Sequence, residues 1–194
     1  MLFRSGVREM PVQQRHTSII AERQAQLRRR YEDDPAEALT RKTARTSATN
    51  IAATDPFHGE VEVGDGYGSL FRFGLDKHIG GLHDAPNPGD LLCAALAACA
   101  DGSIRMLADR LGVRLTALEV EVTGDLDVRG CLLLDREVRV GFDTLSCAVR
   151  LAAAEGTDQR RLDALTAAAD RVCVNLDTLR GGVEVATVAE YVGS

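Results

Sequence analysis

The stretch "NPGDLLCAALAACADGSIRMLADRLGV", residues 87–113, reads as one uninterrupted helix, and that reading decides the fold. Leu and Ala recur throughout, Pro88 suits a first helical turn, and Gly112 follows Leu111 as a C-terminal stop. From Leu91 to Ala100 the helix is apolar on every side, so it is expected to be buried on every side. Its second half turns amphipathic, with Ile104, Leu107 and Leu111 on one side and Arg105, Asp109 and Arg110 over the rest. Cys93 and Cys99 lie about 240° apart around this axis and cannot share one site on it.

Strands flank this helix on both sides. "HGEVEVGDGYGSLFRFGLD" alternates Val61 and Val63, breaks at Gly64-Asp65-Gly66 and resumes at Leu70, Phe71 and Phe73, which is a hairpin pattern. Downstream, Leu118, Val120 and Val122 alternate and continue through Leu126 and Val128. Val138, Val140 and Phe142 lead into Leu145, Cys147, Val149 and Leu151, with a parity slip that predicts a bulge. A second helix is expected over about 157–176, from Leu162, Leu165, Ala169, Val172 and Leu176, and a final strand over "GVEVATVAEYV". The order of strands, buried helix, strands, helix and strand predicts an α+β domain.

Residues 1–45 carry ten Lys or Arg against six Asp or Glu, whereas 46–194 carry thirteen against twenty-three. Residues 1–45 therefore read as a basic helical arm with two helical pieces, capped at Thr17 or Ser18 and at Asp34 before Pro35; 46–194 reads as the main domain. The apolar residues of the arm (Ile19, Ile20, Leu27, Tyr31, Leu39) are too few for a core of their own and are expected to pack across a partner subunit. With a net charge of −6 and an acidic body, nucleic-acid binding is disfavoured. No apolar run is expected to reach the roughly 18 residues of a membrane span, and the start "MLFRSGVREMPVQQR" has no secretory h-region, so a cytoplasmic protein without membrane partners is expected. His78 and His83 lie five apart in a Gly-rich loop, which predicts neither a metal site nor a cofactor.

Five cysteines (Cys93, Cys99, Cys131, Cys147, Cys173) are an odd number in a chain of this size, so reduced thiols are expected rather than a disulfide framework. Cys147 alternates with core residues on its strand. Cys173 is the other cysteine on a helix able to pack on the central one, so Cys99 with Cys173 is a candidate redox pair, while core roles remain open for both.

"NPGDLLCAALAAC", "GDLDVRGCLLLDREVRVGF", the helix cysteine in "CVNLDTL" and the closing "GGVEV" resemble the OsmC (osmotically inducible protein C) and organic hydroperoxide resistance family, in particular its OsmC-like branch, from about His58 to Tyr191. The resemblance implies an intertwined homodimer with two long central helices packed against antiparallel β-sheets. It implies Cys99 as peroxidatic and Cys173 as resolving cysteine, an organic hydroperoxide as substrate, and reduction by a lipoamide-like or protein dithiol. In this chain Gly89 stands where the family has a Glu ten residues before the peroxidatic cysteine, leaving Asp90 as the nearest carboxylate. The family's Arg is absent from "TDPFHGEVEV", which makes His58 and Arg45 the candidate replacements. The alternative is a dimeric ligand-binding or interaction protein on the same fold without redox turnover.

Overall fold

The computed structural model describes residues 17–191. The arm residues 1–16, and with them the N-terminal segment read above for a leader, lie outside the described residues.

Helix α2 spans Pro88–Leu111, as its sequence predicts. The Asn87 side chain accepts from the Gly89 and Asp90 amides, while the Asp90 carboxylate accepts from the Asn87 amide, closing a capping box. Gly112 ends the helix in the left-handed conformation, φ 62°. Burial along α2 departs from expectation: Leu96, Ala100, Ile104, Leu107 and Ala108 are buried, but Leu92, Ala94, Ala95 and Ala98 are exposed. The chain covers only one side of the helix. By length and by a mean hydropathy of 1.6 over its most apolar window, α2 also meets the measure of a membrane span, contrary to the expectation from its sequence. Within the fold it serves as a core helix, packed on the strands and helix described next.

Strand β4 (Leu115–Asp125) and β5 (Thr144–Ala153) form an antiparallel ladder in which Val120 faces Val149 and Val122 faces Cys147. The register shift lies between Leu115 and Ala117, and the bulge expected between Phe142 and Leu145 does not form. Val128 belongs to a short helix α3 (Val128–Cys131) instead of prolonging β4. The chain then folds back over α3, so that a Cβ on Gly130 would meet the Arg139 carbonyl oxygen at 2.3 Å. This return keeps Val138–Phe142 out of the sheet and lays the Phe142 ring over Gly124.

Helix α4 (Gln159–Val172) packs on α2 around Leu165, which is fully buried, with Ile104, Leu107, Ala108, Val113 and Ala169. The single helix expected over 157–176 is in fact two. Cys173 is extended, at φ −75° and ψ 105°; its amide donates to the Ala169 carbonyl to end α4, and its carbonyl accepts from the Asp177 amide to begin α5 (Val174–Gly181).

Strands β1 (Ala44–Thr46), β2 (His58–Val63) and β3 (Leu70–Gly74) form an antiparallel sheet in the order β1-β2-β3, with Gly64, Gly66 and Gly68 at positive φ in the turn. The predicted final strand does not form in the described residues: 183–191 are irregular, and Val183, Val185, Val188 and Tyr191 are exposed. A strand needs a neighbour for its ladder, and the described residues offer that segment none.

Helix α1 (Ile19–Asp33) is capped by Ser18, as expected, and Asp34 starts only a 3-10 turn, Pro35–Ala38. Within its own chain the arm contacts α2 through polar groups. Ser18 Oγ donates to Asp109 Oδ2 of α2 at 2.6 Å, the Ile20 amide donates to the same oxygen at 3.0 Å, and Gln24 reaches Met106 Sδ at 3.3 Å. The apolar residues Ile19, Leu27, Tyr31 and Leu39 stay exposed, as surface that a partner subunit could cover.

Candidate functional site

Cys99 and Cys173 meet. Cys173 is buried to 1% exposure with Leu96 and Ala100, and Cys99, Cys147, Val120, Val122 and Leu176 pack against this cluster. The Cys99 side chain packs on the cluster that holds Cys173, near enough to disfavour ionisation of the Cys173 thiol. Cys99 is half-buried and all five cysteines are free thiols. Burial pushes the Cys173 thiol up and the neighbouring Cys99 thiol adds to this, while the Leu176 and Asn175 amides at the start of α5 pull it back.

The break between α4 and α5 creates this meeting. It turns the chain so that Asn175 Nδ2 donates to the Ala95 carbonyl of α2 at 2.8 Å, one turn before Cys99. The tie fixes Cys173 against the central helix. Sequence reasoning missed Asn175, because an Asn early in a short helix carries no signal of a long-range partner.

The candidate supporting residues lie elsewhere. Asp90 is held in the capping box, nine residues and about 13 Å of helix rise from Cys99. It faces Cys93 instead, whose thiol is pushed up by burial and then by the Asp90 charge, which disfavours Cys93 as a working thiol. Arg45 is exposed on β1, opposite Glu62. His58 is held between carboxylates, with Nδ1 3.2 Å from Asp55 Oδ2 and Nε2 2.9 Å from Asp84 Oδ1, while Arg72 donates to the other Asp84 oxygen at 3.1 Å. Gly89 is partly covered by the Phe142 ring, which would lie 3.2 Å from a Cβ there, so a longer side chain would have to displace it.

The Asp84 hydrogen bond, then that of Asp55, raises the His58 pKa above its ordinary value, against burial and Arg72. A group raised on folding stabilises fully below its unfolded pKa, about 6.5, and that stabilisation is lost as pH rises through the folded value. His58→Gln is therefore expected to flatten the fall in stability between pH 6 and 8. Urea midpoints at several pH values check this, and parallel curves for the two proteins would contradict it.

Beside the thiol cluster opens a cavity of about 580 Å3 lined by Leu92, Leu96, Ala100, Cys147 and Leu176, among others, with the Asp170–Arg180 ion pair in its wall. Arg180 binds Asp170 through two hydrogen bonds of 2.8 and 2.9 Å. Cys131 is exposed on α3, its Sγ against the Val128 carbonyl.

A helix-and-sheet domain that holds two thiols together against its central helix defines a class of α+β dithiol proteins. Within it, the family described as OsmC-like protein matches residues 81–188, and the chain belongs to that family. An OsmC-like protein of Mycoplasma pneumoniae superposes with a TM-score of 0.57 at 12% identity, over 74% of this chain and 89% of that one. An OsmC-like protein of unknown function from Vibrio cholerae gives 0.58 at 14%, over 72% and 94%. An organic hydroperoxide resistance protein of Elizabethkingia anophelis gives 0.50 at 20%, over 75% and 92%. At these identities the likeness is one of fold. No curated protein matches the chain.

Proposed function

We propose that this chain is a cytoplasmic thiol-dependent peroxidase that reduces organic hydroperoxides. The observation that carries the reading is the packing of Cys99 and Cys173 together in an apolar cluster. The Cys99 thiolate attacks the distal peroxide oxygen; the O–O bond breaks, the alkoxide takes a proton and leaves as alcohol, and Cys99 becomes a sulfenic acid. The Cys173 thiol condenses with it, releasing water and forming the Cys99–Cys173 disulfide. A dithiol then returns both to thiols by exchange. Membership of the family and the fold shared with a hydroperoxide resistance protein support this reading.

One equivalent of cumene hydroperoxide added to reduced protein, followed by peptide mass mapping, tests it. A rapid Cys99–Cys173 disulfide is expected. Cys99 remaining reduced would favour a ligand-binding protein without turnover, a reading supported by the cavity's being lined by Cys147 and not by the pair.

The same proposal includes a homodimer. Uncovered apolar surface remains on the exposed side of α2 (Leu92, Ala94, Ala95, Ala98), at Leu70 and Phe71 of β3, and along Val183, Val185 and Val188. A second copy would cover all three. Sedimentation at twice the 20.9 kDa chain mass is expected, and a monomer at micromolar concentration would refute it.

A further inference from the structure

Cys147 belongs to the thiol cluster without having been assigned any role in it. It packs, from β5, against the cluster that Leu96, Ala100 and Cys173 form and Cys99 joins, and of these three cysteines it is the one that lines the 580 Å3 cavity. Cys173, at 1% exposure, is closed to a bulky reductant. A dithiol entering by the cavity meets Cys147 in its wall, whereas neither Cys99 nor Cys173 lines it.

We infer that Cys147 is a third redox thiol, which takes the disulfide from Cys99–Cys173 and presents it to the reductant. It rests on the disulfide of the proposed function. The Cys147 thiolate attacks Cys173 Sγ; the Cys99–Cys173 bond breaks as the Cys147–Cys173 bond forms, and Cys99 leaves as a thiolate that takes up the proton Cys147 gave up. No net oxidation occurs in this step. The entering dithiol then supplies two electrons and two protons and becomes a disulfide itself.

Burial around the cavity disfavours the Cys147 thiolate, so the exchange rests on the packing of the three thiols together and is expected to be slow. Burial, then the Asp170 carboxylate, pushes the Cys147 thiol up, and Arg180 pulls it back. Arg180 also lies within Coulomb reach of Cys173. The one ion pair thus borders both sulfurs that the exchange would join.

The test uses the full chain carrying Cys93→Ala and Cys131→Ser, oxidised with one equivalent of diamide, so that disulfide formation does not depend on peroxide reactivity. After acid quenching and alkylation, peptide mapping should find a Cys147–Cys173 disulfide beside Cys99–Cys173. Adding Cys147→Ser, or Cys147→Ala as a second variant, should abolish the new species and slow reduction by dihydrolipoamide at least fivefold, with an unchanged thermal midpoint to show that the fold is intact. Finding only Cys99–Cys173, with equal reduction rates in all three proteins, overturns the inference, as does a Cys99–Cys147 disulfide in its place. A chain that forms Cys147–Cys173 with diamide, yet never oxidises Cys99 with hydroperoxide, would break the peroxidase reading and leave the third thiol standing.

Discussion

Cys99→Ser is expected to lower hydroperoxide consumption at least about 1000-fold, roughly 4 kcal/mol of barrier, because a serine hydroxyl is neither ionised near neutral pH nor able to form the sulfenic acid. Cys173→Ser should separate the two half-reactions. Its Cys99 still reduces one equivalent of hydroperoxide, seen as a stoichiometric burst with a sulfenic acid that dimedone traps, but steady turnover stops for want of the resolving thiol. Stopped-flow measurement of peroxide loss in both variants, with Cys131→Ser as a control from the exposed α3 thiol, distinguishes these outcomes. If Cys99→Ser retained half the wild-type rate, the chemistry would lie at another sulfur. With Gly89 in place of the family's Glu, and with Asp90, His58 and Arg45 all engaged or placed elsewhere, the wild-type rate itself is expected to be modest.

What could be read beforehand follows the range of the forces involved. Helix α2 was legible to the residue because its limits are local: Asn87, Pro88 and Asp90 make the cap, and Gly112 supplies the left-handed stop. The β2–β3 hairpin was legible for the same reason, through its alternation and its glycine turn. The break at Cys173 was not, since "DRVCVNLD" contains neither Gly nor Pro; burial of Cys173 and the Asn175 tie to Ala95 across the fold fix it there. Phe142 looked like a strand residue by alternation, yet it is a wedge whose place depends on Gly124 and Gly89 being bare. The thiol pair was legible mainly by resemblance. Cys147 was read as core from its alternation along β5, which fixes the face it lies on but not the cavity opening there. The closing valines alternate correctly for a strand, and pairing is the one ingredient that alternation cannot supply.

Leu165→Ala is expected to cost about 3 to 4 kcal/mol, a large share of the stability of a domain this size. Leu165 is fully buried, among Ile104, Leu107 and Ala108 of α2, Val113 and Ala169, so shortening it opens a cavity between the two long helices that neither can easily close. Leu165→Met keeps most of the volume and should cost less than about 1.5 kcal/mol. Urea unfolding gives both values, and a loss under 1 kcal/mol for the alanine variant would mean that α4 is not seated on α2 in this way. The consequence reaches the site, because α4 ends at Cys173. A loosened α4 should expose this otherwise closed thiol, so Cys173 alkylation ought to accelerate in Leu165→Ala well before global unfolding, while exposed Cys131 reacts as before. Disulfide formation between Cys99 and Cys173 should slow in the same protein, since the two sulfurs no longer share one fixed position. Packing 8 residues away from the resolving cysteine would then be setting the rate at which the disulfide closes.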